Sequence, residues 1–204
     1  MKILEWRNKM SEYSELGKKV VAALNERGFE SFYFDDLDSA LKKILSFIPK
    51  GSSVGWGGSV SCIDSKLLDK IRSGDYIAID RDTAKDSLER TELMRKCFTA
   101  DYFLTSFNAV SSDGIVINID GNGNRVAAIS FGPKNVIALV GINKITESEQ
   151  KALERAEKVA AAKNAVRFGK SMDEAPSLCN IYQKLTHGGK GRIKVILVGV
   201  ELGY

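Results

Sequence analysis

The chain has 204 residues, a length that predicts one domain spanning residues 1–204. Lysine and arginine total 30 and aspartate and glutamate 26, and the resulting charge of +4 is spread along the chain, so composition does not indicate a nucleic-acid-binding protein. No apolar run is long enough for a membrane helix, and the three cysteines and single histidine lack metal-site spacing. We therefore expect a cytoplasmic globular protein with no metal and no cofactor of its own.

Hydrophobic spacing predicts alternating helices and strands. The first helix is expected over residues 11–27, where Val20 and Leu24 share one face and Gly28 ends the helix. The further predicted elements, in chain order, are a strand at 31–34, a helix from Asp36 or Asp38 to Ile48, a strand within 52–58, a helix around 67–71, a strand at 76–79, a helix at 86–98, strands at 102–106, 115–119 and 136–141, a helix from Thr146 and a strand at 193–199. The stretch 163–191, rich in lysine, serine and glycine, is predicted to be mobile.

This order of elements predicts parallel strands joined by crossover helices. The stretches 136–140 (VIALV) and 195–199 (VILVG) are apolar at almost every position, which is typical of strands that are covered on both faces. The predicted fold is a three-layer α/β/α sandwich with a mostly parallel sheet. In such sheets ligands bind beyond the carboxyl ends of the strands, so the loops that follow strands are the candidates for a site.

Three such loops carry polar residues that a simple turn does not require. Gly57, Gly58 and Ser59 offer backbone N–H groups and a hydroxyl to an anion, although a tight turn explains the glycines equally well. In a second loop, Ser106 and Asn108 follow a strand and are expected to orient a ligand. The candidate ligand-binding residues of the third loop are Asn118, Gly121, Gly123, Asn124 and Arg125.

Arg125 is the candidate for pairing with a negatively charged ligand, because its planar guanidinium matches a carboxylate or phosphate. Asp120 is the candidate catalytic residue, since it could accept a proton from a substrate hydroxyl or only neutralise Arg125. The alternative is an asparagine-rich turn whose side chains hydrogen-bond within the loop. The density of polar side chains favours the interpretation as a ligand site.

Four motifs, in this order, resemble the LUD (lactate utilization) domain family over roughly residues 10–204: GWGGS, TSFNAVSSDGIVINIDGNGNRVAAISFGP, VGINKIT and ELGY. The segment NxDGxGNRVAA is highly specific. The resemblance implies the α/β fold of the ribose-5-phosphate isomerase and CoA-transferase-like superfamily. It also implies a role in oxidising L-lactate to pyruvate, in an assembly whose other subunits carry iron–sulfur clusters.

Longer members of this family have a cysteine-rich segment near the C-terminus, where the present chain has Cys179 alone. One thiolate cannot hold a cluster that takes four, so the chain resembles the short, cluster-free members. The stretch NAVSSDGIVIN is also similar to part of methylthioribose-1-phosphate isomerase and of the regulatory translation initiation factor 2B subunits, with Asn108 at the position of the isomerase's acid–base aspartate. Because an amide cannot shuttle a proton as a carboxylate does, this likeness argues against isomerase chemistry.

Other polar residues have simpler interpretations. Cys62 follows the glycine loop but has no evident partner base, which favours a buried thiol over a nucleophile. The segment 80–86 alternates three aspartates with Arg81 and Lys85, so it is predicted to be a solvated charge cluster and not a metal site. Trp56 could stack on a ligand ring or plug the glycine loop, and the sequence leaves both open.

The leading hypothesis is a LUD-family subunit of a lactate-oxidation or related small-acid pathway, which binds a small anionic metabolite between the three loops. Iron–sulfur oxidoreductase subunits are the expected protein partners, with no nucleic acid and no membrane. Two alternatives stay open: an independent sugar-phosphate isomerase or acyl/CoA-transfer enzyme on the same fold, and a non-catalytic interaction subunit. The sequence does not decide whether the chain is an enzyme by itself.

Overall fold

The structure is a computed structural model that describes the backbone of residues 2–204 and the side chains of residues 9–204. Its helices are α1 (Lys2–Glu26), α2 (Leu37–Ser46), α3 (Val60–Asp64), α4 (Leu67–Arg72), α5 (Ser87–Lys96), α6 (Asn124–Phe131), α7 (Glu149–Arg155), α8 (Ala162–Arg167) and α9 (Ala175–Leu178). Its strands are β1 (Glu30–Phe34), β2 (Ser53–Trp56), β3 (Ile77–Ile79), β4 (Tyr102–Thr105), β5 (Ala109–Ser111), β6 (Val116–Asp120), β7 (Asn135–Gly141), β8 (Ile145–Thr146), β9 (Ile181–Leu185) and β10 (Ile193–Val198). A π-helical segment, Ala156–Ala161, joins α7 to α8. Within the described part of the chain, no helix has an apolar stretch that could cross a bilayer.

Six parallel strands form the main sheet, in the order β1-β10-β7-β4-β2-β3. Alternate residues of β7 belong to two different cores, with Val136 and Ala138 in one core and Ile137 and Leu139 in the other. Helix α1 packs against the first core and helices α2 and α4 pack against the second. Because both faces of the sheet are covered, its strands are apolar throughout. The predicted three-layer α/β/α fold is confirmed.

A second sheet of four short strands, in the order β8-β5-β6-β9, is absent from the sequence-based prediction. Strand β5 has only three residues and pairs with β6 and β8, and β9 pairs with β6 along five residues. Strand β9 reads IYQKL and is largely exposed, so it lacks the apolar run that marks the strands of the main sheet. The stretch 163–191 contains α9 and β9, and its mobility stays a prediction.

Two helix starts differ from the prediction. Helix α1 begins at Lys2 instead of near residue 11, and it ends at Glu26, one residue before the predicted end; Gly28, with a φ of +75°, follows as the predicted cap. The alanine-rich helix begins after Ser148 and not at Thr146, because Thr146 belongs to β8 and pairs with β5. Sequence spacing alone places helix ends poorly when a short strand lies beside them.

Candidate functional site

A cavity of about 350 Å³ lies at the carboxyl edge of the main sheet. Its wall is formed by the segments that follow five neighbouring strands of the main sheet, β10, β7, β4, β2 and β3. These segments meet because parallel strands all end at the same edge. The end of β6 and the helix from the π-helical segment to α8 complete the wall. This site cavity is defined by Gly58, Arg81, Ser106, Asp120, Lys144 and Arg167.

Most of the residues that the sequence analysis selected lie together at this cavity. Those that line it are Gly58, Ser59, Ser106, Asn108, Asp120, Gly121, Asn124 and Arg125. Asn118 is fully buried and contacts Arg125 through its side-chain oxygen, whereas Gly57 and Gly123 do not line the cavity. The three loops therefore converge, and ligand binding by these residues stays a prediction.

Arg125 and Asp120 form a buried ion pair in the wall. The Nη2 and Nε atoms of Arg125 lie 2.7 Å and 2.8 Å from Oδ1 of Asp120. The other carboxylate oxygen accepts the backbone N–H groups of Arg125 and Val126, each at 3.1 Å, in the first turn of α6. The Asp120 carboxylate therefore fixes both the guanidinium and the start of this helix, and both of its oxygens are used.

The guanidinium of Arg125 uses all of its N–H groups within the protein. Besides Asp120, it donates to the side-chain oxygens of Asn108 and Asn118 and to the backbone carbonyls of Ser106 and Ile119. Since an arginine has five N–H donors, none is left for a ligand. The structure thus gives Arg125 a different role from the expected one: it ties the loop after β4 to the end of β6, and only its charge acts on the cavity.

Ser106 and Asn108, which were expected to orient a ligand, are also held by the protein. Oδ1 of Asn108 accepts the backbone N–H of Ile119 and a guanidinium N–H of Arg125, both at 2.8 Å. The carbonyl oxygen of Ser106 accepts from Arg125 at 3.2 Å, and its hydroxyl accepts from Lys144 at 3.0 Å. Ser106 therefore contacts both buried cations, and its hydroxyl keeps its own proton to donate.

Lys144 is the functional candidate that the sequence analysis missed. Lys144 is the last residue of a short 3-10 turn that directly follows β7, and only 3% of the residue is exposed to solvent. Its ammonium donates to the hydroxyls of Ser61 at 2.9 Å and Ser106 at 3.0 Å, and to the carbonyl of Phe107 at 3.2 Å. The sequence does place this lysine close to the most apolar strand of the chain. That position alone does not predict burial, because lysine side chains are usually exposed.

The charge of Lys144 is poorly compensated by its surroundings. Burial is the main cause that lowers the pKa of Lys144 from 10.5 to about 7, and the cations Arg155 and Arg125 lower it further. Cys62 and Asp64 act in the opposite direction but do not restore the ordinary value. The neutral amine is therefore well populated near pH 7, unlike that of an ordinary lysine.

Arg81 also lies in the cavity wall, so the interpretation of segment 80–86 as a solvated cluster is wrong for this residue. Only 11% of its side chain is exposed, and its Nε is buried without a hydrogen-bond partner among the described residues. The Asp82 carboxylate is 3.9 Å from this Nε, and Nη1 contacts the weakly accepting sulfur of Met94 at 3.3 Å. Burial and the nearby Arg90 lower the pKa of Arg81. Arg81 is thus a largely buried cation with donor capacity left for a ligand.

Arg167 and Tyr204 are further polar residues of the wall. Arg167 donates to the backbone carbonyl of Gly58 at 2.8 Å, which ties α8 to the loop after β2. The hydroxyl of Tyr204 is buried and has no hydrogen-bond partner within the described part of the chain. An unpartnered buried hydroxyl beside a cavity is a further group that a polar ligand can satisfy.

The three cysteines are free thiols that lie in three separate cores. Burial raises the pKa of Cys62 to about 11, which supports a buried thiol and not a nucleophile. Cys97 lies in the core on the other face of the main sheet, and Cys179 lies in the core behind the second sheet. Over the described residues, no group of three or more metal-ligating side chains comes together.

The side chain of Trp56 packs in the hydrophobic core beneath the glycine loop. Its ring is 1% exposed and belongs to the same core as Ile71 and Leu104. The guanidinium carbon of Arg72 lies 5.4 Å from its ring centroid. Because Trp56 is not among the residues that line the site cavity, the structure favours the core plug over stacking on a ligand.

Comparison with known proteins gives the family of the chain. The family model described as LUD domain matches residues 17–198. The crystal structure of a DUF162 family protein from Deinococcus radiodurans is similar with a TM-score of 0.56 and 17% identity, over 92% of this chain and 98% of that chain, which shows a shared fold. No curated protein matches the chain. The chain belongs to the LUD domain family, which at the level of the family links it to lactate utilization.

Proposed function

We propose that the chain binds a small monocarboxylate of the lactate and pyruvate class in the site cavity, as a subunit of a lactate-oxidation or related small-acid pathway. The observation that carries this proposal is the charge of the wall. The described lining residues include four basic side chains, Arg81, Arg125, Lys144 and Arg167, but one carboxylate, that of Asp120. Since Asp120 is paired with Arg125, the remaining positive charge favours an anion, and the volume of about 350 Å³ leaves ample room for a small one.

Arg81 is the proposed anchor for the ligand carboxylate. It has donor capacity left, and burial strengthens its interaction with a negative charge because little water screens it. The hydroxyls of Ser106 and Tyr204 are proposed to hydrogen-bond the oxygen on the neighbouring carbon of the acid. Asp120 then acts by positioning Arg125, and not by exchanging protons with the ligand.

Oxidation of lactate to pyruvate releases a pair of electrons that an acceptor must take up. The three cysteines of this chain lie in separate cores and do not fit a cluster held by four thiolates. We therefore propose that a partner subunit with an iron–sulfur cluster accepts the electrons. The free thiols support a cytoplasmic, reducing environment for this assembly.

The alternatives receive less support from the geometry. A sugar-phosphate isomerase needs a carboxylate that is free to move a proton, and both oxygens of Asp120 are engaged. A subunit that serves only for interaction has no need of buried cations around a cavity, since such charges cost folding free energy.

Calorimetry with L-lactate, pyruvate and the uncharged analogue lactamide tests the proposal. We expect the two acids to bind and lactamide to bind at least about tenfold more weakly, because it lacks the charge. Arg81→Gln should weaken binding of both acids by about tenfold or more. The matched control is Arg95→Gln, an exposed arginine whose ion-pair partner is Glu92.

Equal binding of lactamide and the acids, or unchanged binding by Arg81→Gln, would contradict the proposal. Turnover of ribose 5-phosphate by the purified chain would favour the isomerase alternative instead. The proposed partner subunit is tested by purifying the chain from its native cells together with the proteins bound to it. The visible absorption spectrum of the purified material then shows whether an iron–sulfur cluster is present. Absence of any cluster-bearing protein in that material would contradict the electron-transfer part.

A further inference from the structure

Lys144 presents an amine at a fixed point of the site cavity. Three oxygen atoms, from Ser61, Ser106 and Phe107, hold its nitrogen within 3.2 Å. Within the described part of the chain, no carboxylate lies within ion-pair distance of this nitrogen. An amine held by hydroxyls and without a counter-ion differs from the ordinary lysine of a structural ion pair.

The surroundings of Lys144 make its neutral form well populated near pH 7. Burial is the largest cause that brings the pKa of this nitrogen to about 7, and the positive charges of Arg155 and Arg125 act in the same direction. The Cys62 thiol stays protonated near pH 7 because its own pKa is raised to about 11, so it supplies no counter-charge there. Asp64 has a smaller opposing effect. A neutral amine carries an electron pair that can attack a carbonyl carbon.

A 2-oxo acid combines the two features that this wall can recognise. Its carboxylate matches the buried cation Arg81, and its adjacent carbonyl carbon is an electrophile for an amine. A 2-hydroxy acid has the carboxylate but no electrophilic carbon. The two kinds of acid are therefore expected to differ in how they interact with Lys144.

We propose, on the basis of the function proposed above, that Lys144 captures a small 2-oxo acid as a reversible imine. The nitrogen forms a bond to the carbonyl carbon, and a proton moves from nitrogen to the former carbonyl oxygen. That oxygen then leaves as water with a second proton from nitrogen, while the carbon–nitrogen double bond forms. No oxidant or reductant is consumed. The hydroxyls of Ser61 and Ser106, which contact the nitrogen, are placed to carry these protons.

Trapping of the imine by hydride tests the proposal. The full chain is incubated with pyruvate and cyanoborohydride, and the reduced adduct is located by mass spectrometry of the intact chain and of its peptides. We expect one adduct per chain on the peptide that contains Lys144, and none when L-lactate replaces pyruvate. At about pH 7 the label on Lys144 should exceed that on any exposed lysine by about tenfold or more, because ordinary lysines are almost fully protonated there. This excess should shrink as the pH rises toward about 10.

Lys144→Met should abolish the specific label, whereas Lys184→Met should keep it. Lys184 is a suitable control because it is half-exposed and paired with Glu149. The peptide map of the unchanged chain decides the matter even when Lys144→Met does not fold. Label spread over exposed lysines, or equal to that in urea-unfolded chain, would overturn the proposal.

Calorimetry on the same samples separates this proposal from the proposed function. Binding of pyruvate without label on Lys144 overturns the imine and leaves the carboxylate site standing. Absence of both binding and label overturns the two together. Binding together with the specific label supports both.

Discussion

The site cavity contains two buried cations that are held in opposite ways. The guanidinium of Arg125 is surrounded by a carboxylate and four further oxygen acceptors, which satisfy every N–H group. The ammonium of Lys144 contacts two hydroxyls and a carbonyl, and its charged neighbours include two more cations. One cation is therefore compensated by its surroundings and the other is not.

This contrast shows that burial alone does not assign a role to a charged residue. A compensated cation stabilises the fold as long as its partners stay, since breaking a buried pair leaves an unpaired charge. An uncompensated cation costs folding free energy and loses its proton more easily. The first property suits a structural centre such as Arg125, and the second suits a chemically reactive group such as Lys144.

The largest effect is expected for Arg125→Met. This change leaves the carboxylate of Asp120 buried without its cation and removes the hydrogen bonds that tie the loop after β4 to the end of β6, so the free energy of unfolding should fall by about 3–5 kcal/mol. Urea unfolding measures it. The control Arg95→Met alters an exposed pair and should cost less than about 1 kcal/mol. A similar small loss for both variants would show that the Arg125 cluster is not a structural centre.

Lys144→Met is expected to change the pH dependence of stability. With a folded pKa of about 7 and an unfolded value near 10.4, the unfolded chain binds more protons between these values. The unfolding free energy of the unchanged chain should therefore rise with pH in this window relative to Lys144→Met, by on the order of 1 kcal/mol per pH unit. Urea unfolding from about pH 7 to pH 9 measures the difference. Parallel curves for the two proteins would mean that Lys144 keeps an ordinary pKa.

A pair of glycine variants tests whether Arg81 belongs to the binding wall. A methyl group on Gly58 would lie 2.6 Å from Nη2 of Arg81 and push the guanidinium aside, whereas one on Gly57 meets nothing closer than 3.8 Å. We expect Gly58→Ala to weaken pyruvate binding by roughly tenfold and Gly57→Ala to leave it unchanged, as measured by calorimetry. Equal affinities in both variants would remove Arg81 from the site.

The smallest effect is expected at Cys62. Its thiol lies near Lys144, but burial outweighs that cation and raises the pKa of the thiol to about 11. Alkylation of Cys62 by iodoacetamide in the folded chain at about pH 8 should therefore be negligible, and it should remain so in Lys144→Met. Rapid alkylation, followed by mass spectrometry, would show that the thiol is reactive after all.

The sequence predicts the part of the fold that depends on local pattern. Continuous apolar runs identify strands β7 and β10, and the rule that loops meet at the carboxyl edge of a parallel sheet brings Gly58 and Ser106 to one cavity. Asp120 reaches the same cavity from the end of β6 in the second sheet, which that rule does not cover. Strand β9 escapes prediction because its residues are polar and largely exposed, so only its pairing with β6 defines it. The sequence therefore predicts the position of the site at the edge of the main sheet, but not the second sheet beside it.

The burial of Lys144 and Arg81 is the part of the site that could not be predicted. Each is a charged residue next to a strand, and such residues are normally solvated. Their burial results from contacts between different elements of the fold, such as Ser61 of α3 for Lys144 and Met94 of α5 for Arg81. No local spacing encodes these contacts, so hydrogen-bond partners and pKa values follow only from the three-dimensional structure.

Ser106 joins the two buried cations, since its carbonyl accepts from Arg125 and its hydroxyl accepts from Lys144. Loss of the proton on Lys144 changes the hydrogen bonding of the Ser106 hydroxyl. A resulting shift of the Ser106 backbone would move the carbonyl that accepts a hydrogen bond from the Arg125 guanidinium. The protonation of one residue and the placement of the other are thus thermodynamically coupled. Substitutions at these two positions should have non-additive effects on stability, because the serine they share mediates between them.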